Sequence, residues 1–404
     1  MRQRVAITGL GAICAAGQTT QQFWHSLVNG NSAIAPLGAL AEGSRIRIGA
    51  TVNDYAPETY FTPDKLPLLD RFSQFAVIAA TEALDDAGLA PHSHATRHAA
   101  AIIGTGCGGK QTDEETYAHL YKDGRPRAHP MTIPKGMPSA AACQVSLSLG
   151  IGGPVFSVAS ACASGAHAVI QAALMIQSGL VDIALAGGTD SPFTYGLLKS
   201  WEALRVVSSD TCRPFSANRS GMVLGEGAGM LVLESESHAR RRKAHIYAEL
   251  AGFGMTSDAA HITRPDVNGI TSAMQRALES TKTSAESVAY INAHGTGTAA
   301  NDKTETEALH KTFGTHARAL AISSTKSMHG HALGASSALE LVATILAIHH
   351  QTAPPTANFT EADEDCNLDY IPNQSRPMQI DTALSNAFAF GGLNAVTVVK
   401  KPDF

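Results

Sequence analysis

A single cysteine stands among alanines, serines and a glycine in "SVASACASGAHAVIQAALMIQSG", residues 157–179. Cys162 falls where a strand-like run gives way to a helix-like one, so its thiol meets the unpaired N–H groups and positive dipole end of the helix. A free thiol titrates near about 8.5, and helix starts or nearby cations lower that value. The position therefore suits a thiolate nucleophile. Ala161, Ala163, Ser164 and Gly165 leave room for a substrate to approach. The other cysteines, Cys14, Cys107, Cys143, Cys212 and Cys366, read as small buried hydrophobes, the commoner fate of an isolated thiol.

Two further stretches carry groups that handle protons and charge. In "INAHGTGTAANDKTE" an apolar run ends at His294, followed by glycines and the hydroxyls of Thr296 and Thr298. A histidine at a strand end in such a loop is placed for ligand contact. In "SSTKSMHGHALGASSALE", Lys326, His329 and His331 precede a helix that carries Glu340. Two histidines one residue apart raise the question of a metal, but no supporting Cys/His/Asp set accompanies them, so no metal is expected.

Positioning these groups requires strands and helices in alternation. Runs such as "RVAITGL", "AAAIIGTG", "PVFSVAS", "DIALAGG" and "GMLVLE" alternate with helical stretches such as "SQFAVIAATEALDDAG", which argues for an α/β core. After about residue 245 the pattern begins again. A short β run, a turn of small residues and a helix apolar on most faces occur at "FSVASACASGAHAVIQAALMIQSG" and again at "LAISSTKSMHGHALGASSALELVATILAIHHQ". A glycine-rich hairpin follows each, with 59 residues from Cys162 to Gly221 and 56 from His331 to Ala387. An internal duplication is the economical explanation. It gives an N-terminal half, 1–245, carrying the cysteine, and a C-terminal half, 246–404, carrying the two histidines. Packed face to face, the halves would bring the thiol of one to the histidines of the other.

Composition excludes several classes of function. A chain of 404 residues with 44% hydrophobic and 16% charged residues suits a compact α/β enzyme. Its net charge of -5 gives no footprint for nucleic acid, and the quartet Arg240 to Lys243 reads as a solvated helix face. Scattered cysteines without a C-x-x-C pair fit reduced thiols and a cytoplasmic setting. The N-terminal "MRQRVAITGLGAICAAG" mimics a signal peptide, yet Thr8, Gly9 and Gly11 interrupt its apolar run, and it reads better as a first strand. No membrane span is expected.

Taken together, "ACASGAH", "NAHGTGT", "STKSMHGHALGA", "GMVLGEGAGMLVLE" and "NAFAFGGLNA" resemble the β-ketoacyl-[acyl carrier protein] synthases of the elongating type, within the thiolase-like superfamily. The resemblance spans nearly the whole chain and keeps the motifs in order. It implies a thiolase-like fold, two duplicated α/β halves forming a five-layered αβαβα body. It implies that Cys162 takes an acyl group from an acyl carrier protein thioester, and that His294 and His331 assist decarboxylation of a malonyl thioester. The backbone N–H groups of Cys162 and Phe390 would form an oxyanion hole. Lys326, partnered by Glu340, would support the histidines. Thr296 and Thr298 would bind the pantetheine arm, and Cys107, Met222 and Phe388 would line the substrate pocket. No bound cofactor is implied, since phosphopantetheine arrives on the carrier protein. The expected assembly is a homodimer, or a heterodimer with a homologous subunit resembling a chain-length factor.

Departures from the family pattern point to a specialised paralogue, one that builds polyene-like or other secondary chains. Ser216 and Ser220 stand where relatives often place aspartates, Met222 where an aromatic gate is common, and Cys107 where a bulky aliphatic often lines the acyl pocket. "PDKLPLLDRF" is poor in basic residues for carrier docking, although Arg125 and Arg127 could meet an acidic carrier. Three enzymatic rivals and one non-catalytic rival are weaker. "GTGCGG" satisfies G-x-G-x-x-G but lacks an acidic residue about 20 positions on. A degradative thiolase would need a second catalytic cysteine near the C-terminus, where Cys366 sits in an acidic loop. A papain-like hydrolase has no use for duplicated α/β halves. A non-catalytic chain-length factor would lack the nucleophile.

Overall fold

The computed structural model describes residues 3–403. Ten strands of its main sheet fall into two sets of five. The first comprises β1 (Val5–Cys14), β2 (Ala100–Gly104), β3 (Val155–Val158), β4 (Ile183–Asp190) and β5 (Gly227–Ser235). The second comprises β6 (Ala248–Ser257), β7 (Tyr290–Asn292), β8 (Ala321–Ser323), β9 (Thr382–Ala389) and β10 (Leu393–Lys400). Their spatial orders, β3-β2-β4-β5-β1 and β8-β7-β9-β10-β6, are the same when each set is counted from its own first strand. In each set the last strand runs antiparallel to both neighbours while the strands beyond it are parallel. The sets meet edge to edge at Ala6↔Glu249 and Ile7↔Ala248.

Helices cover and separate these sets. α1 (Arg71–Asp86) and α2 (Ala140–Leu149) pack outside the first, and α4 (Val267–Thr281) and α5 (Ala299–Phe313) outside the second. Between them lie α3 (Ser164–Gln177) and α6 (Ser336–His350), which touch each other and strands of both sets. This is the five-layered body that the resemblance implies. Close approach at matching places underlines the duplication. A β-carbon on Gly11 of β1 would lie 1.9 Å from the Ala79 carbonyl oxygen of α1, and one on Gly254 of β6 would lie 2.0 Å from that of Ala273 in α4. Either addition would force a helix off its sheet.

The central layer explains why its helices lack a polar face. From Ser336 to Ile348 every residue of α6 is buried, and its Leu, Ile and Val side chains each contribute about 1.5–3 kcal/mol by leaving water. The segment Leu333–His350 is long and apolar enough to cross a membrane by length and composition, contrary to the expectation of no such stretch, but it is 89% buried between the two sets of strands. The run that mimicked a signal peptide is β1, buried throughout. Of the basic quartet, Arg240 pairs with Glu236, while Arg242 reaches the buried Glu234, so the quartet is not purely a solvated face.

Candidate active site

Cys162 lies on a one-turn 3-10 helix, Ala161–Ala163, between β3 and α3. The elbow requires an unusual backbone, with Ala161 at φ 48°, in the left-handed region that a β-carbon disfavours. The Ser164 side chain braces it, accepting from the Ser160 N–H at 2.9 Å and donating to the Ala161 carbonyl at 2.6 Å. The same elbow recurs ahead of α6, where a 3-10 turn Leu333–Ala335 begins with Leu333 at φ 49° and Ser336 stands where Ser164 does. The structural counterpart of Cys162 is therefore Gly334, three residues beyond His331. The hairpin spacings of 59 and 56 residues instead align the cysteine with His331 itself. A β-carbon at Gly334 would lie 2.5 Å from the Gly106 nitrogen and 2.7 Å from Asp190 Oδ2, so the second elbow carries no side chain and the halves close on it.

The histidines arrive from the other half. His294 follows β7, and Glu305 of α5 holds its loop by accepting the N–H groups of His294 at 2.9 Å and Gly295 at 2.8 Å. His331 is stitched onto the first half, donating its N–H to the Val223 carbonyl at 2.7 Å and accepting from the Gly225 N–H at 2.9 Å. Cys162 Sγ and one ring nitrogen from each histidine all lie within 4.8 Å of one another. The two imidazoles stand nearly perpendicular, 5.6 Å between centroids. Phe390, in the turn between β9 and β10, directs its backbone N–H to Cys162. The cavity around them, about 200 Å³, is also lined by Thr296, Thr298, Met222 and Phe388.

Hydrogen bonds decide which face each imidazole offers. The Lys326 ammonium lies 3.3 Å from His294 Nδ1 and donates to the His294 carbonyl at 2.5 Å. On His331, Nδ1 accepts the Leu333 N–H at 3.2 Å and lies 2.9 Å from Ser336 Oγ. With both Nδ1 atoms accepting, each neutral ring carries its proton on Nε2. Burial, and then the Lys326 charge, hold both histidines well below 6.5, so they are neutral donors at physiological pH. A donor pair of this kind stabilises a developing oxyanion. It is a poor metal set, because a ligating nitrogen needs its lone pair free. His329 turns away, its Nε2 3.0 Å from Thr325 Oγ1.

Lys326 forms an ion pair with Glu340, and both side chains are fully buried. Burial pushes the Glu340 carboxyl up while the lysine pulls it down. Lys326→Met leaves that carboxylate alone in the core, and a loss of about 3–5 kcal/mol of stability is expected in denaturant unfolding. The thiol does not behave as the helix start predicts. Cys162 is only 8% exposed, and burial pushes it up to about 12 despite the opposing Lys326 charge and Phe390 N–H. So buried, it is a neutral thiol near physiological pH.

Other predicted positions fall as follows. Thr296 and Thr298 share a hydrogen bond of 2.9 Å, and Thr298 also caps α5. Phe388 sets its ring edge-to-face against His294, 6.0 Å between centroids. Cys107 packs against the apolar cluster of Phe193, Leu333 and Met222, and Met222 also lines the cavity. The loop "GTGCGG" has no free N–H pair for a pyrophosphate, since Gly106 and Cys107 donate to Asp190. Cys366 is buried in the outer core of the second half and lines none of this cavity, contrary to what a degradative thiolase would need. Sequence reasoning missed Glu305 and Asp190, both buried and each bound to backbone N–H groups.

Known proteins agree along the whole length. Residues 2–239 match the family described as beta-ketoacyl synthase, N-terminal domain, and residues 247–360 that described as beta-ketoacyl synthase, C-terminal domain. Nodulation protein E of Rhizobium sp. (strain N33) is 48% identical over 99% of this chain and 100% of its own. The 3-oxoacyl-[acyl-carrier-protein] synthase 2 of Coxiella burnetii (strain RSA 493 / Nine Mile phase I) is 40% identical over 99% of both. Among solved structures, the ishigamide ketosynthase/chain length factor superposes with a TM-score of 0.95 at 34% identity, covering 100% of each chain. The AntDE:AntF complex, a type II PKS acyl-carrier protein with its ketosynthase bound to the hexaketide, gives 0.90 at 35%, again covering 100% of each. Because both halves match in order and the cavity joins a thiol of one to donors of the other, the chain belongs to the beta-ketoacyl synthases, acyltransferases that form a carbon–carbon bond.

Proposed function

We propose that this chain takes an acyl group from an acyl carrier protein onto Cys162 and condenses it with a malonyl group on the same class of carrier. In the first step the Cys162 sulfur attacks the acyl thioester, the C–S bond to the carrier breaks, and the departing phosphopantetheine thiol takes up the proton that Cys162 gives up. No group other than the carrier's own arm is needed, and Thr296 and Thr298 lie in the cavity to bind it. In the second step the malonyl carboxylate leaves as carbon dioxide. Its electron pair passes to an enolate whose oxygen accepts from Nε2–H of His294 and of His331. The enolate carbon attacks the Cys162 thioester, and the tetrahedral oxyanion accepts the Cys162 and Phe390 N–H groups. Collapse expels the sulfur, which regains a proton, and releases a 3-oxoacyl chain two carbons longer.

The observation that carries this reading is the grouping of a buried sulfur and two imidazoles within 4.8 Å, with both Nδ1 atoms already committed. The product chain is a specialised one, a reading supported by the similarity to nodulation protein E and to ketosynthases of secondary pathways. Arg125, Arg127 and Lys135 line a surface cleft suited to an acidic carrier. β3 ends the sheet with one edge unpaired among the described residues, which suits assembly with a second copy or a homologous chain-length-factor-like subunit. Purified protein supplied with acyl- and malonyl-carrier substrates is expected to release carbon dioxide and 3-oxoacyl product. Turnover that appears only after a homologous subunit is added would favour the heterodimer, and carbon dioxide without an extended chain would contradict the condensation.

A further inference from the structure

Asp190 ends β4 with a side chain that is fully buried, yet it makes no ion pair among the described residues. Four donors converge on it. Oδ1 accepts the Thr105 hydroxyl at 2.8 Å and the Cys107 N–H at 3.0 Å, and Oδ2 accepts the N–H groups of Gly106 and Gly334, each at 2.7 Å. Three of these come from the loop that follows β2 in the first half, and the fourth from the glycine elbow of the second. Two donors on each oxygen demand a group that only accepts, and an ionised carboxylate is the side chain that offers this. An asparagine would turn its NH₂ group toward two N–H or O–H donors in either orientation.

The elbow that Asp190 grips is the one that sets His331. Leu333 and Ser336, on either side of Gly334, supply the two polar groups at His331 Nδ1. We propose that Asp190 is a positioning residue for condensation, clamping the Gly334 elbow to the Gly106–Cys107 loop across the two halves so that His331 keeps its Nε2–H aimed at the thioester oxygen. The inference rests on the condensing reaction assigned above. It goes further by naming an anionic clamp that contacts neither thiol nor imidazole directly.

The clamp also gives the reaction a pH edge. Burial pushes the Asp190 carboxyl up to about 6 against its four donors. Facing it are the thiols of Cys107 on the loop and Cys162 on the first elbow, both pushed up by burial, and His331 ahead of the second elbow, which lies well below its usual range. Further off, Glu340 on α6 and Glu305 on α5 are also raised by burial, but neither accepts from Thr105. The ionised form of Asp190 holds the clamp, so condensation falls as pH drops through about 6.

The test uses the full chain and its Asp190→Asn and Thr105→Val variants, with two rates followed from pH 5 to 8. One is acyl loading of Cys162 by intact mass, and the other is product formation by enzyme already loaded. Asp190→Asn is expected to slow condensation by about 100-fold with loading changed by less than about tenfold, and to lose the acid edge. Thr105→Val removes one donor from Asp190, together with the acceptor of the Gly108 N–H, leaves the other three donors to Asp190 in place, and is expected to move the acid edge to higher pH, which decides the matter if the asparagine variant does not fold. Equal loss of loading and condensation in Asp190→Asn, or an unmoved edge in Thr105→Val, would overturn the proposal. Failure of the unsubstituted protein to load at all would instead strike the condensing reaction, and the clamp with it.

Discussion

Cys162→Ala is expected to lower chain elongation by a factor on the order of 10⁴ or more, because the covalent route is removed while the cavity is kept. Intact mass of the variant after incubation with acyl carrier substrate should show no acyl adduct, and a surviving adduct would assign the nucleophile elsewhere. The elbow is braced by Ser164 through the Ser160 N–H and the Ala161 carbonyl and not through the sulfur, so the fold should tolerate the substitution. The burial of the sulfur makes a statement about pH. A thiol pushed up to about 12 is mostly protonated at every pH near neutrality, so the loading rate of the unsubstituted enzyme should climb with pH from 6.5 to 9 and not level off near the ordinary thiol value of about 8.5. A plateau there would show that the bound substrate or the helix end lowers the thiol.

The second large effect concerns the imidazoles. His294→Ala and His331→Ala each delete one of two N–H donors aimed at the enolate oxygen, and removal of one such donor typically costs about 10²–10³ in turnover. The loss should fall on carbon dioxide release and product formation, measured on enzyme already acylated, while acylation of Cys162 persists. Because both rings are held well below 6.5, neither should contribute a titration between pH 6 and 8. Equal loss of acylation and decarboxylation in both variants would contradict the division of labour.

Much of this site was legible in the chain because its signals are local. A cysteine between a strand and a helix, a histidine at the end of an apolar run, and a Lys–His–His cluster before a buried helix are each contained within about twenty residues. The repeated strand, elbow and helix likewise announced two equivalent halves. What stayed hidden depends on closure of the halves. Asp190 is one of 35 acidic residues and lies 85 residues from Thr105 and 144 from Gly334, so nothing in "GGTDSP" marks it as their common acceptor. Glu305 looks like one more charge on an amphipathic helix until its two backbone partners are seen. The acidity of Cys162 was misjudged for the same reason. A helix start can be read from a sequence, but the desolvation produced by the opposite half cannot.

Peptide mapping by mass spectrometry tests the central claim most directly, applied to enzyme incubated with an acyl carrier thioester and then with malonyl carrier. The account predicts one acyl group, on the peptide that contains Cys162, present after the first addition and gone after the second as carbon dioxide and a chain two carbons longer appear. An acyl group on any other residue, or one that remains on Cys162 while product accumulates, would contradict it.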